Sequence, residues 1–321
     1  MLSAETFKNL NWVAIAAVGA YHVFALAAIP RIWTCKWQTH VCAIVFYQLG
    51  GLGVTAGIHR LWSHRSYKAS DPVRFFLILC SAIANQGTTF HWARDHRVHH
   101  KFTDTDADPT NAKRGLFFAH IGWLFVKKHP KVIEAGKQLN VDDLLQDWCI
   151  QLENYCHPFG QIFMCLIVPM LLCHFGWGES LSNGLLVPGF LRCVLGLHAT
   201  WCINSVAHAP IFGYTPYDAG ISATDNFWVS LGILGEGWHN WHHAFPYDYA
   251  ASEYGIASQW NPAKLFIDAC AYVGLVTGRK RALAAWEARK KAKSTTTTTA
   301  TVAKGLPAAS EPPKARATRV A

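Results

Sequence analysis

Four apolar runs, each close to the length that spans a bilayer, constrain this chain more than any other feature. About 20 consecutive apolar residues are needed to cross the hydrocarbon core as a helix. Within lipid, a helix satisfies all of its own backbone hydrogen bonds. The runs lie at about residues 11–33, 39–58, 161–175 and 185–203. The sequence therefore predicts an all-α integral membrane protein with four transmembrane helices.

The composition supports a bilayer rather than a nucleic acid as the partner. The chain is 51% hydrophobic and 15% charged, whereas soluble proteins are roughly 25% charged. The 14 Trp residues suit membrane interfaces. The net charge of +9 comes from loops and from a basic tail, and no nucleic-acid-binding motif accompanies it. The ten scattered Cys residues form no CxxC pair, so we interpret them as reduced core residues.

Basic residues collect on one side of the predicted bundle. Lys and Arg are frequent between the second and third runs and after residue 278, whereas the two short opposite loops offer only Arg31 and Lys36. The positive-inside rule places such basic segments in the cytosol. We therefore expect both termini and the large loops to be cytosolic, where the large loops form a helical cap.

Two weaker apolar stretches and the tail complete the predicted organisation. The stretch at residues 73–89 is interrupted by Asn85, Gln86 and Gly87, and we interpret it as an interfacial or buried helix. The run at residues 265–276 is short and amphipathic. Beyond about residue 292 the chain is rich in Thr, Ala, Lys and Pro, a composition that predicts disorder. We therefore divide the chain into a membrane domain, residues 1–285, and a basic tail, residues 286–321.

Three histidine clusters lie on the predicted cytosolic side. The first follows the second apolar run, the second lies in the central loop, and the third follows the fourth apolar run. Neutral imidazole is the commonest protein ligand for iron, zinc and copper. The clusters comprise His59 and His64, then His96, His99 and His100, and then His239, His242 and His243. Eight imidazoles exceed the needs of one mononuclear site, so we expect two metal ions close together.

The spacing within the clusters differs. The second and third clusters share the spacing i, i+3, i+4, which places three imidazoles on one helical face. His59 and His64 are five residues apart, roughly 140° around an α-helix. Either the helix ends there or the two histidines serve different ions. The acidic segment from Asp104 to Asp108 lacks the Gly of a calcium loop, and its carboxylates could instead orient metal-bound imidazoles.

The motifs HRLWSH, WARDHRVHHKFTDTDADPTN, NSVAH and EGWHNWHHAFPYDY resemble those of the membrane acyl-CoA desaturases of the stearoyl-CoA, or delta-9, type. The resemblance spans about residues 12–276. It implies a di-iron centre held by the eight histidines above and by His208. It also implies that Asn204 holds a metal-bound water.

The resemblance implies an enzyme of unsaturated fatty acid biosynthesis in the endoplasmic reticulum membrane. It would use O2 and two electrons to place a cis double bond at the delta-9 position of a saturated long-chain acyl-CoA. It also implies cytochrome b5 and NADH–cytochrome b5 reductase as separate electron donors. Two alternatives are a membrane di-iron hydroxylase of the alkane or sterol type and a non-catalytic membrane protein that binds or transports metal. Transporter ligands sit near the bilayer midplane, whereas these clusters lie outside the apolar runs.

The resemblance also implies substrate contacts. Arg94 and Asp95 match positions that bind the CoA head group, to which Lys127 and Lys128 could add phosphate attraction. Tyr47 matches a residue near the closed end of an acyl tunnel, where Gly51 leaves room. Four residues match positions that line the bend of that tunnel: Gln86, Trp92, Thr200 and Trp201.

Overall fold

Helices make up nearly all of the regular structure in the computed structural model, which describes residues 8–292. The named helices, in chain order, are α1 (Trp12–Trp33), α2 (Trp37–Ser63), α3 (Asp71–Ala84), α4 (Thr89–Phe102), α5 (Leu116–His120), α6 (Pro130–Lys137), α7 (Asp142–Leu145), α8 (Trp148–Cys156), α9 (Phe159–Trp177), α10 (Leu181–His208), α11 (Phe227–Gly232), α12 (His239–Ala244) and α13 (Pro262–Tyr272). Short 3-10 turns lie at Ala112–Arg114, Gly122–Leu124 and Pro210–Phe212. Strands β1 (Lys68–Ala69) and β2 (Val276–Thr277) pair antiparallel.

The helices α1, α2, α9 and α10 are long and apolar enough to cross a membrane, which confirms the four predicted spans. Large apolar side chains on α1, such as Val13 and Trp33, are 81% and 86% exposed, as contact with lipid requires. Both α2 and α10 continue past their predicted apolar runs, to Ser63 and His208. His59 and His208 therefore lie near the ends of spanning helices, and His64 directly follows the end of α2.

The predicted interfacial or buried helix is α3, which packs along α2. The Cys80, Ser81 and Ala84 positions of α3 are buried, and the glycines of α2 allow the two backbones to approach closely. A Cβ atom at Gly53 would lie 2.3 Å from the carbonyl carbon of Cys80 and from the nitrogen of Ser81. Small residues permit this kind of helix contact in membranes.

We expect Gly53→Ala to destabilise the protein by more than the roughly 1–3 kcal/mol typical of an overpacked core, because the obstructing atoms belong to backbone. Thermal unfolding of the detergent-purified protein measures the effect. Gly19→Ala is the matched control, since nothing lies within 4 Å of a Cβ atom placed on Gly19. Equal melting temperatures for the two variants would contradict the close packing of α2 and α3.

Three of the four spanning helices contain π-helical segments, at Gly53–Ser63, Phe163–Ile167 and Leu186–Leu191. Pro169 follows the second segment. Because proline has no N–H group, it cannot donate the helical hydrogen bond to the carbonyl four residues earlier, that of Cys165. π-Helical turns of this kind are rare and recur at functional sites.

Buried Arg192 compensates for these interruptions. Its guanidinium donates to the carbonyl oxygens of Cys165 at 2.7 Å, Ile83 at 2.8 Å and Pro188 at 2.9 Å. The Ile83 carbonyl belongs to the last turn of α3, where helical carbonyls have no partner within the helix. One side chain therefore satisfies acceptors from α3, α9 and α10 at a depth where water is scarce.

The chain divides into two units, one ending at Arg281 and the other beginning at Ala282. In the second unit, residues 283–292 form a helix, so residues 286–292 of the predicted tail are helical. The predicted disorder of the remaining tail, residues 293–321, lies outside the described residues.

Candidate metal centre

Nine buried or half-buried histidines converge on two adjacent points. The structure brings together all eight cluster histidines and His208, in two sets whose candidate ligand atoms lie within 4.8 Å of one another. Group 1 comprises His59, His64, His96, His100 and His242, and group 2 comprises His99, His208, His239 and His243. The predicted residues therefore form two adjacent candidate sites, in line with their number.

The second and third clusters each divide between the two groups. His96 and His100, four residues apart, remain together in group 1, and His239 and His243 remain together in group 2. Residues four apart differ by only about 40° around a helix, so they reach the same point. The third member of each cluster belongs to the other group: His99 to group 2 and His242 to group 1. The predicted shared face thus serves both sites.

His59 and His64 belong to the same group, with ring centroids 4.8 Å apart. Their predicted separation of 140° assumed an α-helix, but residues 53–63 form a π-helix. The backbone N–H of His64 donates to the carbonyl of His59 at 3.1 Å, the five-residue hydrogen bond of a π turn. The wider turn stacks residues five apart, and the helix also ends at Ser63. The two histidines therefore do not serve different groups.

The Nε2 atoms within each group lie at the separations that ligands of one ion require. In group 1, the Nε2 atom of His242 lies 3.0 Å from that of His59 and 2.9 Å from that of His100. In group 2, the Nε2 atom of His239 lies 3.1 Å from those of His208 and His243. Two atoms about 2.1 Å from one ion lie roughly 3.0–3.4 Å apart for angles between 90° and tetrahedral. The separations therefore fit imidazoles that share an ion.

The protonation state also suits metal binding. Burial, reinforced by neighbouring imidazoles, lowers the pKa of six of these side chains well below the usual range: His64, His96, His100, His239, His242 and His243. A neutral imidazole keeps the lone pair that a metal needs. The buried Nδ1 atoms of His239 and His242 have no hydrogen-bond partner among the described residues. The donor set is neutral, convergent and shielded from solvent, and it fits a pair of metal ions.

A buried ion pair supports group 1. An oxygen of Glu236 lies 2.9 Å from Nδ1 of His59, at ion-pair distance although not in line for a good hydrogen bond. The other oxygen accepts a hydrogen bond from Arg60 at 2.8 Å. Arg60 also donates to the carbonyl of Tyr249 and to the side chain of Asn261. Partners of this kind fix the orientation of a ligand imidazole.

Two aspartates support group 2. Nδ1 of His99 lies 2.9 Å from Asp108 in a well-aligned hydrogen bond. Nδ1 of His208 lies 3.2 Å from the hydroxyl of Ser222, which donates in turn to Asp104. Burial raises the pKa of Asp108, but His99 and the backbone N–H groups of Asp104 and Thr110 lower it, and the net pKa lies below its ordinary value. The acidic segment therefore lies behind the histidines, as the sequence indicated.

The family of the chain follows from its sequence as a whole. The model of the fatty acid desaturase family matches residues 32–264. This chain belongs to that family. It is 47% identical over 272 residues to the stearoyl-CoA desaturase of Homo sapiens, covering 84% of this chain and 74% of the human protein. It is 46% identical over 275 residues to stearoyl-CoA desaturase 5 of Homo sapiens, covering 86% and 82%, and 48% identical over 272 residues to the stearoyl-CoA desaturase of Sus scrofa, covering 84% and 74%.

In this member of the desaturase family, three of the predicted tunnel residues, Gln86, Trp92 and Thr200, form a hydrogen-bonded polar bridge beside group 1. Gln86 donates to the hydroxyl of Thr200 at 2.7 Å and accepts from the indole of Trp92 at 3.3 Å. The Trp92 ring stacks on His96 with centroids 4.9 Å apart. Trp201 is buried one residue beyond Thr200.

An apolar cavity continues from this bridge between α2 and α10. Tyr47 lies in its wall and donates to the carbonyl of Gly232 at 2.6 Å. A Cβ atom at Gly196 would lie 3.9 Å from the Tyr47 ring, and one at Gly51 would lie 3.0 Å from Leu234. The cavity is lined by Tyr47, Gly50, Gly51, Val54, Ala84, Gln86, Arg192, Cys193, Gly196, Thr200 and Ile233.

The predicted head-group residues form a half-buried charged cluster. Arg94 pairs with Asp95 at 3.0 Å, and Lys128 pairs with the other oxygen of Asp95. Lys127 instead lies beside the N-terminal segment, where its backbone N–H donates to Asn9 at 2.8 Å. Asn204 lies on α10, four residues before His208, and its predicted water-mediated contact remains a prediction.

A further set of histidines, separate from groups 1 and 2, was not predicted from the sequence: His22, His120 and His198. The Nε2 atoms of His22 and His198, which lie 176 positions apart in the chain, are 3.0 Å from each other. Nδ1 of His198 lies 2.9 Å from Nε2 of His120, whose Nδ1 atom is 2.9 Å from the hydroxyl of Ser205. These rings surround Trp201, with the His198 centroid 5.0 Å from that of the indole. They connect α1, α5 and α10 beside the polar bridge.

Proposed function

We propose that this chain is an acyl-CoA desaturase that introduces a cis double bond at the delta-9 position of a saturated long-chain acyl-CoA. The observation that carries the proposal is the position of nine convergent imidazoles directly beside the polar bridge and its apolar cavity. The named relatives are stearoyl-CoA desaturases. A membrane di-iron hydroxylase is not favoured, because these relatives are desaturases.

The proposed cofactor is a pair of iron ions, held by group 1 and group 2, with O2 as co-substrate. Iron would supply the oxygen activation that a saturated chain requires, because no amino-acid side chain can remove hydrogen from an unactivated methylene. The five imidazoles of group 1 and the four of group 2 would hold the ions, and Asn204 would hold a metal-bound water. The balanced reaction consumes one O2, two electrons and two protons, and it releases an alkene and two waters.

The remaining residues would position the acyl chain and exclude water. Arg94 and Lys128 would bind the phosphates of CoA, with Asp95 holding the two cations in place. The bridge between Gln86 and Thr200 would define the bend that places one carbon pair beside group 1. Tyr47 would close the far end. Geometry of this kind, fixed by rigid helices, selects the position of the double bond.

We expect Tyr47→Ala to shift the preferred substrate toward longer acyl chains, because the phenol that lines the cavity wall is removed. Gly51→Val should shift the preference toward shorter chains, because Gly51 lines the cavity and a Cβ atom placed there would lie 3.0 Å from Leu234, which leaves less room for the acyl chain. Product ratios from competing 16-, 18- and 20-carbon acyl-CoA substrates measure both effects. Unchanged ratios in both variants would remove these residues from the tunnel.

Cytochrome b5, reduced by NADH–cytochrome b5 reductase, is the proposed electron donor, and the endoplasmic reticulum is the proposed location. The distribution of Lys and Arg supports cytosolic termini and a cytosolic metal centre. His64 follows the end of α2, and His208 ends α10. The metal centre would therefore face a soluble electron-transfer domain on the cytosolic side.

Fatty-acid analysis of a yeast strain that lacks its own delta-9 desaturase tests the proposal. We expect the chain to restore growth without added unsaturated fatty acid and to produce cis-9 16:1 or 18:1. The His242→Ala variant, expressed at an equal level, is the inactive control. A double bond at another position would overturn the regiochemistry, and hydroxylated products would support the alternative. No new product from a membrane-inserted, iron-loaded protein supplied with cytochrome b5 would overturn the proposed reaction.

A further inference from the structure

The carboxylates behind the two histidine groups differ in their charge compensation. Behind group 1, Glu236 forms a buried ion pair with Arg60 at 2.8 Å, and both side chains are at most 3% exposed. The negative charge beside His59 is therefore matched by a positive charge within the same contact. Arg97, which donates to the carbonyls of Trp62 and Ser63 just before His64, is likewise paired with Asp143. The negative charges near group 1 are therefore each matched by a cation, and Asp143 also lies 3.7 Å from Arg65.

Behind group 2, the negative charge is not matched. The side chain of Asp108 is completely buried. It accepts hydrogen bonds from the backbone N–H groups of Asp104 and Thr110 and from the Thr110 hydroxyl, in addition to its contact with His99. Asp104 is also buried and contacts the Ser222 hydroxyl that faces His208. Among the Lys and Arg residues of positions 8–281, none forms an ion pair with either aspartate.

We propose that Asp108, together with Asp104 acting through Ser222, makes the ion of group 2 harder to reduce than the ion of group 1. The inference rests on the proposed function, since it requires an iron ion in each group. A nearby negative charge stabilises the higher oxidation state, and hydrogen bonds to ligands tune metal potentials through the same route. The first electron from the donor would then go to the ion that group 1 holds. Asp108 and Asp104 are positioning residues, because they act through His99 and His208.

A redox titration of the full-length protein tests the inference. The detergent-purified protein is loaded with isotopically enriched iron, and Mössbauer spectra are recorded at a series of applied potentials. We expect two iron components that are reduced at different potentials. In Asp108→Asn, the ferric-to-ferrous ratio of the component with the lower potential should fall about tenfold at a fixed potential, a shift of 59 mV for one electron. Glu236→Gln should shift only the other component, which assigns each component to its group.

Asp106→Asn is the matched control. Asp106 lies in the same loop but is exposed and paired with Lys131, so neither component should shift. If Asp108→Asn fails to retain iron, Ser222→Ala provides the second test, because it breaks only the link between Asp104 and His208. A single potential for both wild-type ions would overturn the inference. Equal shifts of both components, or no shift of either component, in the variants that retain two ions would also overturn the inference. A wild-type protein that binds no iron would instead overturn the proposed function.

Discussion

Replacing His242 with alanine is expected to abolish desaturation and to lower the iron content below two ions per chain. The Nε2 atom of His242 lies within 3.0 Å of the Nε2 atoms of both His59 and His100, so its loss opens the middle of group 1. Removing a residue that only hydrogen-bonds to a metal ligand lowers metal affinity or activity about 10–100-fold. Removing the ligand itself should lower them by more. Metal analysis and product formation from acyl-CoA measure the two effects.

The matched control is His129→Ala. His129 is exposed and caps α6 through its side chain, so both iron ions and full activity should remain. A His242→Ala protein that binds two iron ions and forms product would show that the convergence of Nε2 atoms does not reflect shared metal ligands.

Replacing Arg192 with methionine is expected to prevent accumulation of folded protein. Three buried carbonyl oxygens would lose a hydrogen-bond donor, and each unsatisfied buried group costs about 1–3 kcal/mol. The summed cost is comparable to the whole stability of a typical domain, about 5–15 kcal/mol. Size-exclusion chromatography of the detergent extract measures the folded fraction.

Arg192→Lys should give an intermediate result, because one ammonium group cannot reach three carbonyls on different helices. Arg31→Met is the control, since Arg31 is exposed at the end of α1. If Arg192→Met and Arg31→Met yielded the same folded fraction, the three hydrogen bonds of Arg192 would not be needed for folding.

The membrane architecture and most of the metal centre were accessible from the sequence, because length and histidine spacing are local properties. Apolar runs predicted the four spans, and the number of clustered histidines predicted two adjacent groups of candidate ligands. His208 is different: it stands alone in the sequence, and only the resemblance of the NSVAH motif nominated it. The acidic segment was placed correctly behind His99 because Asp108 is only nine residues away.

Contacts between residues that are far apart in the chain could not be predicted from the sequence. Glu236 and His59 are far apart in the chain, and so are His22 and His198. Folding alone brings these pairs together, and no local spacing encodes them. The role of Arg192 was also missed, because the acceptors that it satisfies are created by the ends and interruptions of three separate helices.

The π-helical end of α2 ties the first histidine motif to a particular chain length. A π turn holds one more residue than an α turn, so the four residues between His59 and His64 occupy the space that three would fill on an ordinary helix. A one-residue insertion or deletion in this stretch would therefore move His59 and His64 out of register, whereas a substitution that keeps the π turn would not. Deleting one residue between the two histidines would restore a regular i, i+4 pair only if the whole turn also reverted to an α-helix. The spacing of this motif and the helix type therefore have to change together, in natural divergence and in protein engineering alike.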